Sequence, residues 1–298
     1  MTDLDAAADF IWRHARLLDR HRFAHLFLGA DPEPVVRALR AHQNDDGGFG
    51  HALEPDLRTP ASQPGAGQHV LEILAEAGRF DDPMVADACD FLASIARDDG
   101  GVPFVLLTAL EHPRAPWWQP ADESSLIQTA ANAAVLLEQG ASHPWLDGAT
   151  AYCWNRIEAG EITGAYDARY AVAFLDAVPD APRAEAALDR VGPRLVADGL
   201  VALDPADATG ETFTPLDYAP VPRARSRRLF DAPAFEAHLD ALAAGQQPDG
   251  GWTFPWPEWS PAATLDWRGY VTVGALKVLR ANGRLCAPAG ARAGGAEA

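Results

Sequence analysis

Three segments of this chain share an acidic residue, two glycines and an aromatic residue, and each follows an amphipathic stretch. They are QNDDGGF at residues 43–49, RDDGGVPF at residues 97–104 and QQPDGGWTF at residues 246–254. Apolar residues recur three or four positions apart before each segment, as Phe235, Leu239 and Leu242 do, which predicts a helix with one apolar face. A unit that recurs along a chain indicates a repeat architecture, in which neighbouring units bury one another's faces.

A second kind of helix is predicted after each segment. Residues 131–137 read ANAAVLL, residues 170–175 read YAVAFL and residues 269–276 read GYVTVGAL. These stretches are apolar almost all the way round, which is typical of a helix covered on every side. Strand patterns are nearly absent. Since an open array would expose one face of its inner helices, we expect a closed all-α ring, an α/α toroid of about five to six helical hairpins.

The repeated turn has a structural interpretation. We expect its first glycine to end the outer helix in the left-handed conformation, and its second glycine to allow two backbones to approach closely. The aromatic residue, Phe49 or Trp252, then packs beneath the next hairpin.

Composition limits the classes of function. The chain of 298 residues has 42 acidic and 24 basic residues, a formal net charge of −18, which argues against a nucleic-acid partner. The three widely spaced cysteines indicate reduced thiols, and we find neither a signal peptide nor an apolar run long enough for a membrane span. We expect a cytoplasmic protein with a single domain over residues 1–285 and a disordered tail over residues 286–298. The oligomeric state stays open.

The order of helix, glutamine, acidic residue, two glycines and aromatic residue resembles the QW-type repeat of triterpene cyclases and of the β-subunits of protein prenyltransferases. The resemblance spans residues 31–283. It implies a toroid around an apolar, aromatic-lined cavity that holds an isoprenoid. The catalytic signatures of those families are missing: the chain has no DxDD-type run and no DDxxD, and Asp87-Ala88-Cys89 matches a zinc motif in spelling only. We therefore expect neither a metal nor another cofactor.

Loop lengths predict where a site lies. In a ring of alternating helices, all outer-to-inner loops open at one end, and here these loops are long while the returning connections are short. Long loops in a compact domain are often functional, and the same end collects the N-termini of the inner helices, which favour anions. The long loops fall near residues 49–63, 102–122, 200–230 and 253–265.

The first of these loops carries two candidate catalytic acids, Glu54 and Asp56. Carboxyl groups so close together raise each other's pKa, which can keep an acid protonated near neutral pH. Arg58 and Gln63 are candidate ligand-binding residues beside them. The alternative is that the two carboxylates cap the following helix or pair with Arg58.

The other loops combine aromatic and charged residues. Tryptophan rings suit an apolar ligand or a carbocation, although they can also simply pack in a core. Asp266 is a third candidate acid unless it pairs with Arg268, and the arginine run over residues 223–228 suits a diphosphate group unless it forms surface salt bridges. The candidate ligand-binding residues in these loops are Trp117, Trp118, Asp217, Tyr218, Arg223, Arg225, Trp256, Trp259, Trp267 and Arg268.

The resemblance to the QW-repeat families, together with the long loops at one mouth, implies acid-initiated cyclisation or ionisation of a small apolar or amphiphilic, isoprenoid-like ligand. Two other interpretations stay open. The ring could bind a lipid or a protein without catalysis. It could also be a carbohydrate-active α/α barrel, in which paired carboxylates and tryptophan platforms share one mouth.

Overall fold

The computed structural model describes residues 2–210 and 212–285, so the predicted tail, residues 286–298, lies outside the described residues. Twelve α-helices and one two-stranded antiparallel pair lie within the described part of the chain. None of these helices is long and apolar enough to cross a bilayer. The elements are α1 (Leu4–His14), α2 (Leu17–Leu28), α3 (Glu33–Arg40), α4 (Pro64–Glu76), α5 (Met84–Ile95), β1 (Val102–Pro103), β2 (Ser124–Ser125), α6 (Leu126–Glu138), α7 (Pro144–Glu158), α8 (Ala165–Ala177), α9 (Ala181–Ala197), α10 (Pro215–Tyr218), α11 (Ala232–Ala244) and α12 (Pro261–Ala281).

The helices alternate between an outer and an inner layer, and the ring closes on itself. The even-numbered helices form the inner layer: α4 packs on α6, α6 on α8, and α8 on the short α10. Helix α12 packs on both α1 and α2, which joins the last hairpin to the first. Gln246 fastens this junction, because its amide donates to the carbonyl oxygen of Asp3 and accepts from the backbone N–H of Asp3. The prediction of an all-α toroid is confirmed, and the ring has six outer–inner pairs.

Each glycine pair of the repeated turn packs against the next outer helix in the ring. Gly250 has a φ of +92°, and a Cβ on it would lie 2.0 Å from the carbonyl oxygen of Ala6 in α1. A Cβ on Gly251 would lie 2.8 Å from the ring of Phe10, one helical turn further along. The same two contacts recur for Gly47 and Gly48 on α5 and for Gly100 and Gly101 on α7.

The turn differs from the prediction in one respect. Helix α11 ends at Ala244, six residues before Gly250, so the first glycine shapes the turn rather than ending the helix. The aromatic residue is buried as predicted: Phe49 is 0% and Trp252 is 3% exposed. Trp252 also donates its indole N–H to the carbonyl oxygen of Leu242, which anchors the turn to α11.

The two ends of the ring carry different loops. We call the end at which the inner helices begin the N-terminal mouth, and the opposite end the C-terminal mouth. Long loops at residues 41–63, 96–125, 198–214 and 245–260 lead into the N-terminal mouth. The loop predicted over residues 200–230 is interrupted by α10, a short inner helix. Residues 219–231, with the arginine run, therefore lie at the C-terminal mouth.

Candidate functional site

Glu54 and Asp56 lie in the loop that enters α4 at the N-terminal mouth, and both side chains are buried. The loop holds them in a constrained backbone: His51 and Ala52 both have positive φ, +53° and +57°. Residues with a Cβ adopt such angles at a cost of about 1–3 kcal/mol each, so the surrounding structure must enforce them. The second long loop contributes by donating the Ala115 N–H to the carbonyl oxygen of Asp56, at 2.8 Å.

The Asp56 carboxylate is surrounded by tryptophan. Its Oδ1 accepts the indole N–H of Trp259 at 2.7 Å and that of Trp267 at 2.9 Å. Burial, reinforced by the negative charge of Glu54, raises the pKa of Asp56 to about 6, although these indoles and Trp117 favour the charged form. A carboxyl group with such a pKa can hold a proton near neutral pH and release it to a ligand.

Glu54 has a different partner. Its Oε2 lies 2.6 Å from Nε2 of His69 in α4, and its Oε1 accepts the backbone N–H of Asp56 at 3.1 Å. The ring of His69 in turn meets the rings of Tyr270 and Trp267 edge to face. The role of His69 could not be predicted from the sequence, because a single histidine inside an apolar helix carries no spacing signal that links it to a loop.

Aromatic rings form a continuous wall beside the Asp56 carboxylate. Trp256 stacks on Phe254 at 4.7 Å between centroids and meets Trp267 edge to face at 4.9 Å. Trp267 then meets Tyr270 at 5.6 Å, one turn deeper along α12. Three of the predicted ligand-binding tryptophans, Trp256, Trp259 and Trp267, thus lie together with the predicted acid.

Asp266 pairs with Arg58 rather than with Arg268, so the expected pairing at the start of α12 is wrong. The Arg58 Nη2 lies 2.8 Å from the Asp266 carboxylate and links the first long loop to α12. Arg268 instead makes a bidentate ion pair with Asp249 and lies over the ring of Phe10, 4.5 Å from its centroid. Arg268 thus contacts the last repeated turn and α1, and its role as a ligand-binding residue stays a prediction.

The remaining candidates in the first two loops are Gln63, Trp118 and Trp117. The first two hold the loops together, and the third is partly exposed to solvent. The amide of Gln63 accepts the Leu106 N–H and donates to Thr108 Oγ1, both at 2.9 Å, so Gln63 joins the two loops and is itself buried. Trp118 stacks on Phe104 and covers Gly65, which also makes it part of the frame. Trp117 is 37% exposed.

The arginine run does not reach the N-terminal mouth. Arg225 donates to the carbonyl oxygens of Leu175 and Val178 at 2.8 and 2.7 Å, which caps the C-terminal end of α8. Arg223 pairs with Glu138 at the end of α6, and its side chain is 83% exposed. Both residues therefore lie at the C-terminal mouth: Arg225 binds carbonyl groups that have no intrahelical partner, and Arg223 binds the Glu138 carboxylate. Their role as anion contacts stays a prediction.

Asp217 and Tyr218 also have structural partners. Asp217 accepts from the backbone N–H and the hydroxyl of Thr214, which forms a capping box for α10. The Tyr218 hydroxyl donates to the carbonyl oxygen of Leu200 at 2.8 Å, and the ring is almost fully buried. Tyr218 is thus buried and its hydroxyl already has a partner, and its role as a ligand-binding residue stays a prediction.

Polar side chains of three inner helices meet at the centre of the ring, where the sequence predicted apolar faces. Gln68 in α4 donates to Glu72 Oε1 at 2.9 Å and to the Tyr170 hydroxyl of α8 at 3.2 Å. Tyr270 of α12 donates to Glu72 Oε2 at 3.0 Å. Apart from Gln68, which is buried, these side chains are half-buried and retain accessible surface. The centre therefore offers polar contacts below the aromatic wall.

Ion pairs close the ring nearer the C-terminal mouth. Arg22 of α2 binds Asp19 at 2.8 Å and Glu76 of α4 at 2.9 Å, and Lys277 of α12 also binds Glu76. Arg22 lies 4.7 Å from the ring centroid of Tyr270, beneath the central polar contacts. Because these charges are mutually paired, they provide structure rather than a free binding group.

Within residues 2–210 and 212–285, no group of three or more histidine, cysteine and acidic side chains is arranged to hold a metal ion. The Asp87-Ala88-Cys89 triplet lies in the outer helix α5, where Asp87 accepts a hydrogen bond from Gln43.

No family model matches this sequence, and no curated protein matches it. Among solved structures, the fold is similar to that of a protein from Actinoplanes at 20% identity and a TM-score of 0.57, covering 92% of this chain and 90% of that one. It is also similar to the type II terpene cyclase MstE from Scytonema, at 13% identity and a TM-score of 0.56, covering 94% of this chain and 88% of that one. A variant of MstE with geranylgeranyl dihydroxybenzoate bound as substrate gives 13% identity, a TM-score of 0.53 and the same coverage. The chain thus has the fold of a type II terpene cyclase.

Proposed function

We propose that this protein is a terpene-cyclase-like enzyme that protonates an isoprenoid-like ligand at the N-terminal mouth, with Asp56 as the acid. The observation that carries the proposal is the buried Asp56 carboxyl group, whose pKa is raised to about 6 beside an aromatic wall. The fold shared with type II terpene cyclases supports the same substrate class by analogy.

The chemistry requires only the residues of this site. The protonated Asp56 transfers its proton to one carbon of a ligand double bond, and the π electrons form the new C–H bond. The adjacent carbon becomes cationic, the next double bond attacks it to close a ring, and the final cation loses a proton to water. Asp56 takes up a proton from solvent before the next turnover. Trp259 and Trp267 then stabilise the carboxylate that remains, since both donate to its Oδ1.

The aromatic wall supports the cationic steps. The stacked pair of Trp256 and Phe254 and the ring of Trp267 present π faces and edges beside the acid. A cation near such rings is stabilised by about 0.5–2 kcal/mol per contact when water is excluded. Glu54 does not need to react: its negative charge keeps the pKa of Asp56 high, and its bond to His69 fixes its position.

A carbohydrate-active α/α barrel is the second candidate, because the centre of the ring is polar. Gln68, Glu72 and Tyr170 would suit sugar hydroxyl groups. However, glycosidases place two carboxyl groups on opposite sides of the scissile bond. Here Glu54 and Asp56 share one loop and are joined by a hydrogen bond, which argues for a single acid and against such a pair.

A product assay tests the proposed function. The purified protein would be incubated with farnesyl diphosphate, geranylgeranyl diphosphate, squalene and geranylgeranyl dihydroxybenzoate, and the extracts would be analysed by mass spectrometry. We expect a cyclised product from at least one substrate, and a loss of about 10²–10⁴-fold in its rate for Asp56→Asn.

The matched control is Glu258→Gln, which neutralises an exposed carboxylate on the loop that carries Trp259. This variant should retain the full rate. Substrate returned unchanged in every incubation, or a product that persists at the full rate in Asp56→Asn, would contradict the proposal and favour a non-catalytic binding module.

A further inference from the structure

Arg169 differs from the other arginines that line the ring. It lies in the inner helix α8 and is half-buried, yet the described residues supply no hydrogen bond and no ion pair to its guanidinium group. Among the described residues, its guanidinium group contacts aromatic rings: the guanidinium carbon lies 5.4 Å from the ring centroids of both Tyr170 and Phe213. By contrast, Arg22 and Arg225 are fully engaged with carboxylates or carbonyl oxygens.

An unpaired guanidinium group at such a depth is unusual. It presents five N–H donors in a fixed plane, and a charge removed from water without a partner destabilises the folded state. Arg169 therefore needs either solvent or a ligand in the centre of the ring. Because the two rings fix the plane of the guanidinium group, its donor edge is already oriented.

The neighbouring acidic groups keep Arg169 charged without occupying its donors. Burial alone would lower the pKa of Arg169, but the negative charges of the nearby Asp217 and Glu72 carboxylates hold it above the ordinary value. Both carboxylates are already engaged: Asp217 with Thr214, and Glu72 with Tyr270 and Gln68.

Tyr170 adds a second donor beside Arg169. Its hydroxyl accepts a hydrogen bond from Gln68 at 3.2 Å, and no described residue accepts its proton. Burial raises the pKa of Tyr170, so the hydroxyl keeps that proton. The centre thus combines a planar cation and a neutral O–H donor on one wall of the ring.

We propose that Arg169 and Tyr170 bind the anionic head group of an amphiphilic ligand, a carboxylate or a phosphate, at the centre of the ring. A guanidinium group binds either oxyanion through two parallel N–H···O bonds. The apolar tail of the ligand then extends to the aromatic wall around Asp56. The reaction of that tail rests on the proposed function, whereas the binding of the head group does not.

This assignment restricts the substrate class. A neutral hydrocarbon such as squalene would leave Arg169 without a partner, so an isoprenoid acid or phosphate is expected to bind more tightly. The assignment also replaces the run of residues 223–228 as the anion contact, since Arg223 and Arg225 serve the ends of α6 and α8.

Binding of three matched probes tests the inference. Farnesoic acid, farnesyl monophosphate and farnesol share one tail and differ in the head group, and their affinities can be measured by isothermal titration calorimetry. We expect at least one anionic probe to bind the wild-type protein about 10–100-fold more tightly than farnesol, and Arg169→Gln to abolish this preference. The two anionic arms distinguish a carboxylate ligand from a phosphate ligand.

Three variants make the outcome decisive. Arg223→Gln removes an exposed arginine and should keep the preference, whereas Arg169→Lys keeps the charge without the fork and should keep only part of it. If Arg169→Gln does not fold, as judged by circular dichroism, the partial loss in Arg169→Lys carries the test. Equal affinity for all three probes, no binding of any probe, or an unchanged preference in Arg169→Lys would overturn the inference.

The same titration in the Asp56→Asn background separates this inference from the proposed function. If the anionic probes bind more tightly than farnesol but the wild-type protein forms no product, the proposed function is overturned and the head-group site is retained. Turnover without any such preference would overturn the head-group site alone.

Discussion

The two mouths of the ring use charged residues in different ways. At the C-terminal mouth, Arg225 binds carbonyl oxygens at the end of α8, and Arg223 pairs with Glu138 at the end of α6. At the N-terminal mouth, Asp56 is buried among indoles with its pKa raised, and deeper in the ring Arg169 contacts two aromatic rings but no described hydrogen-bond acceptor. The basic run at residues 223–228 therefore stabilises the ends of the inner helices, while the isolated charged residues Asp56 and Arg169 form the candidate site.

Helix electrostatics explain this difference. The C-terminal end of a helix presents carbonyl groups without intrahelical partners and a partial negative charge, so nearby arginines are recruited to cap it. The inner helices begin at the N-terminal mouth, where their N–H groups instead favour anions. A carboxyl group that remains partly protonated there, as Asp56 does, needs the competing effects of burial and of Glu54.

The largest loss of stability is expected from a substitution in the repeated turn at the N-terminal mouth. We expect Gly250→Ala to lower the free energy of unfolding by about 4 kcal/mol, because a Cβ must fit a left-handed backbone and a contact with Ala6. Chemical denaturation measures this change. The control is Gly78→Ala at the C-terminal mouth, where φ is +63° and nothing lies within 4 Å, and where we expect only about 1 kcal/mol. Equal losses would show that the close approach is unimportant.

Asp56→Asn should stabilise the protein at neutral pH while removing activity. The folded-state pKa of Asp56 is about 6, against an ordinary value of 3.8, so the folded state binds the proton more tightly. Stability from this group is therefore greatest at low pH and falls by about 3 kcal/mol as the pH rises through the window between the two values. Asparagine carries no charge and so removes the cost of burying one. Its Oδ1 can still accept the hydrogen bonds of both indole N–H groups.

Denaturation at several pH values measures the effect of this substitution. The gain in the free energy of unfolding for Asp56→Asn over the wild type should be close to its maximum at pH 7 and shrink towards pH 4. A difference that stays constant over this range would show that Asp56 has an ordinary pKa, and the comparison between the mouths would lose its electrostatic basis.

Much of the fold could be predicted because the turn repeats. The glycine pair, the buried aromatic residue and the alternation of helix types each reflect local chemistry that a sequence displays directly. Helix α10 could not be predicted, since PLDY is too short to show a period and lies between prolines. Without α10, the arginine run was expected at the N-terminal mouth, whereas it lies at the C-terminal mouth.

The candidate site was predicted only in part. Loop length and composition brought the Glu54–Asp56 loop and the late tryptophans to one mouth, but their contact joins residues 203 positions apart, which no spacing rule gives. His69 and Arg169 were missed because each lies inside a mainly apolar helix, where no spacing pattern links it to the loops of the mouth. Their importance depends on what faces them across the ring, and that is a property of the fold.

A smaller effect is expected at the C-terminal mouth. Arg225→Ala removes two hydrogen bonds from a charged donor to the end of α8 and should lower the free energy of unfolding by about 2 kcal/mol. Product formation per folded molecule should be unchanged, because Arg225 lies at the C-terminal mouth and the aromatic wall lies at the N-terminal mouth. A loss of turnover without a loss of stability would show that Arg225 acts in the reaction and not only at the end of α8.

The smallest effect should come from Arg223→Gln. Its ion pair with Glu138 is 3.3 Å long and its side chain is 83% exposed, so screening by solvent and salt leaves it a stabilisation below about 0.5 kcal/mol. Denaturation at low and high salt should therefore give nearly the same value for variant and wild type. The binding preference for an anionic head group should also persist, since that preference depends on Arg169. If Arg223→Gln abolished it, the anion contact would lie at the C-terminal mouth, and the arginine run would be functional after all.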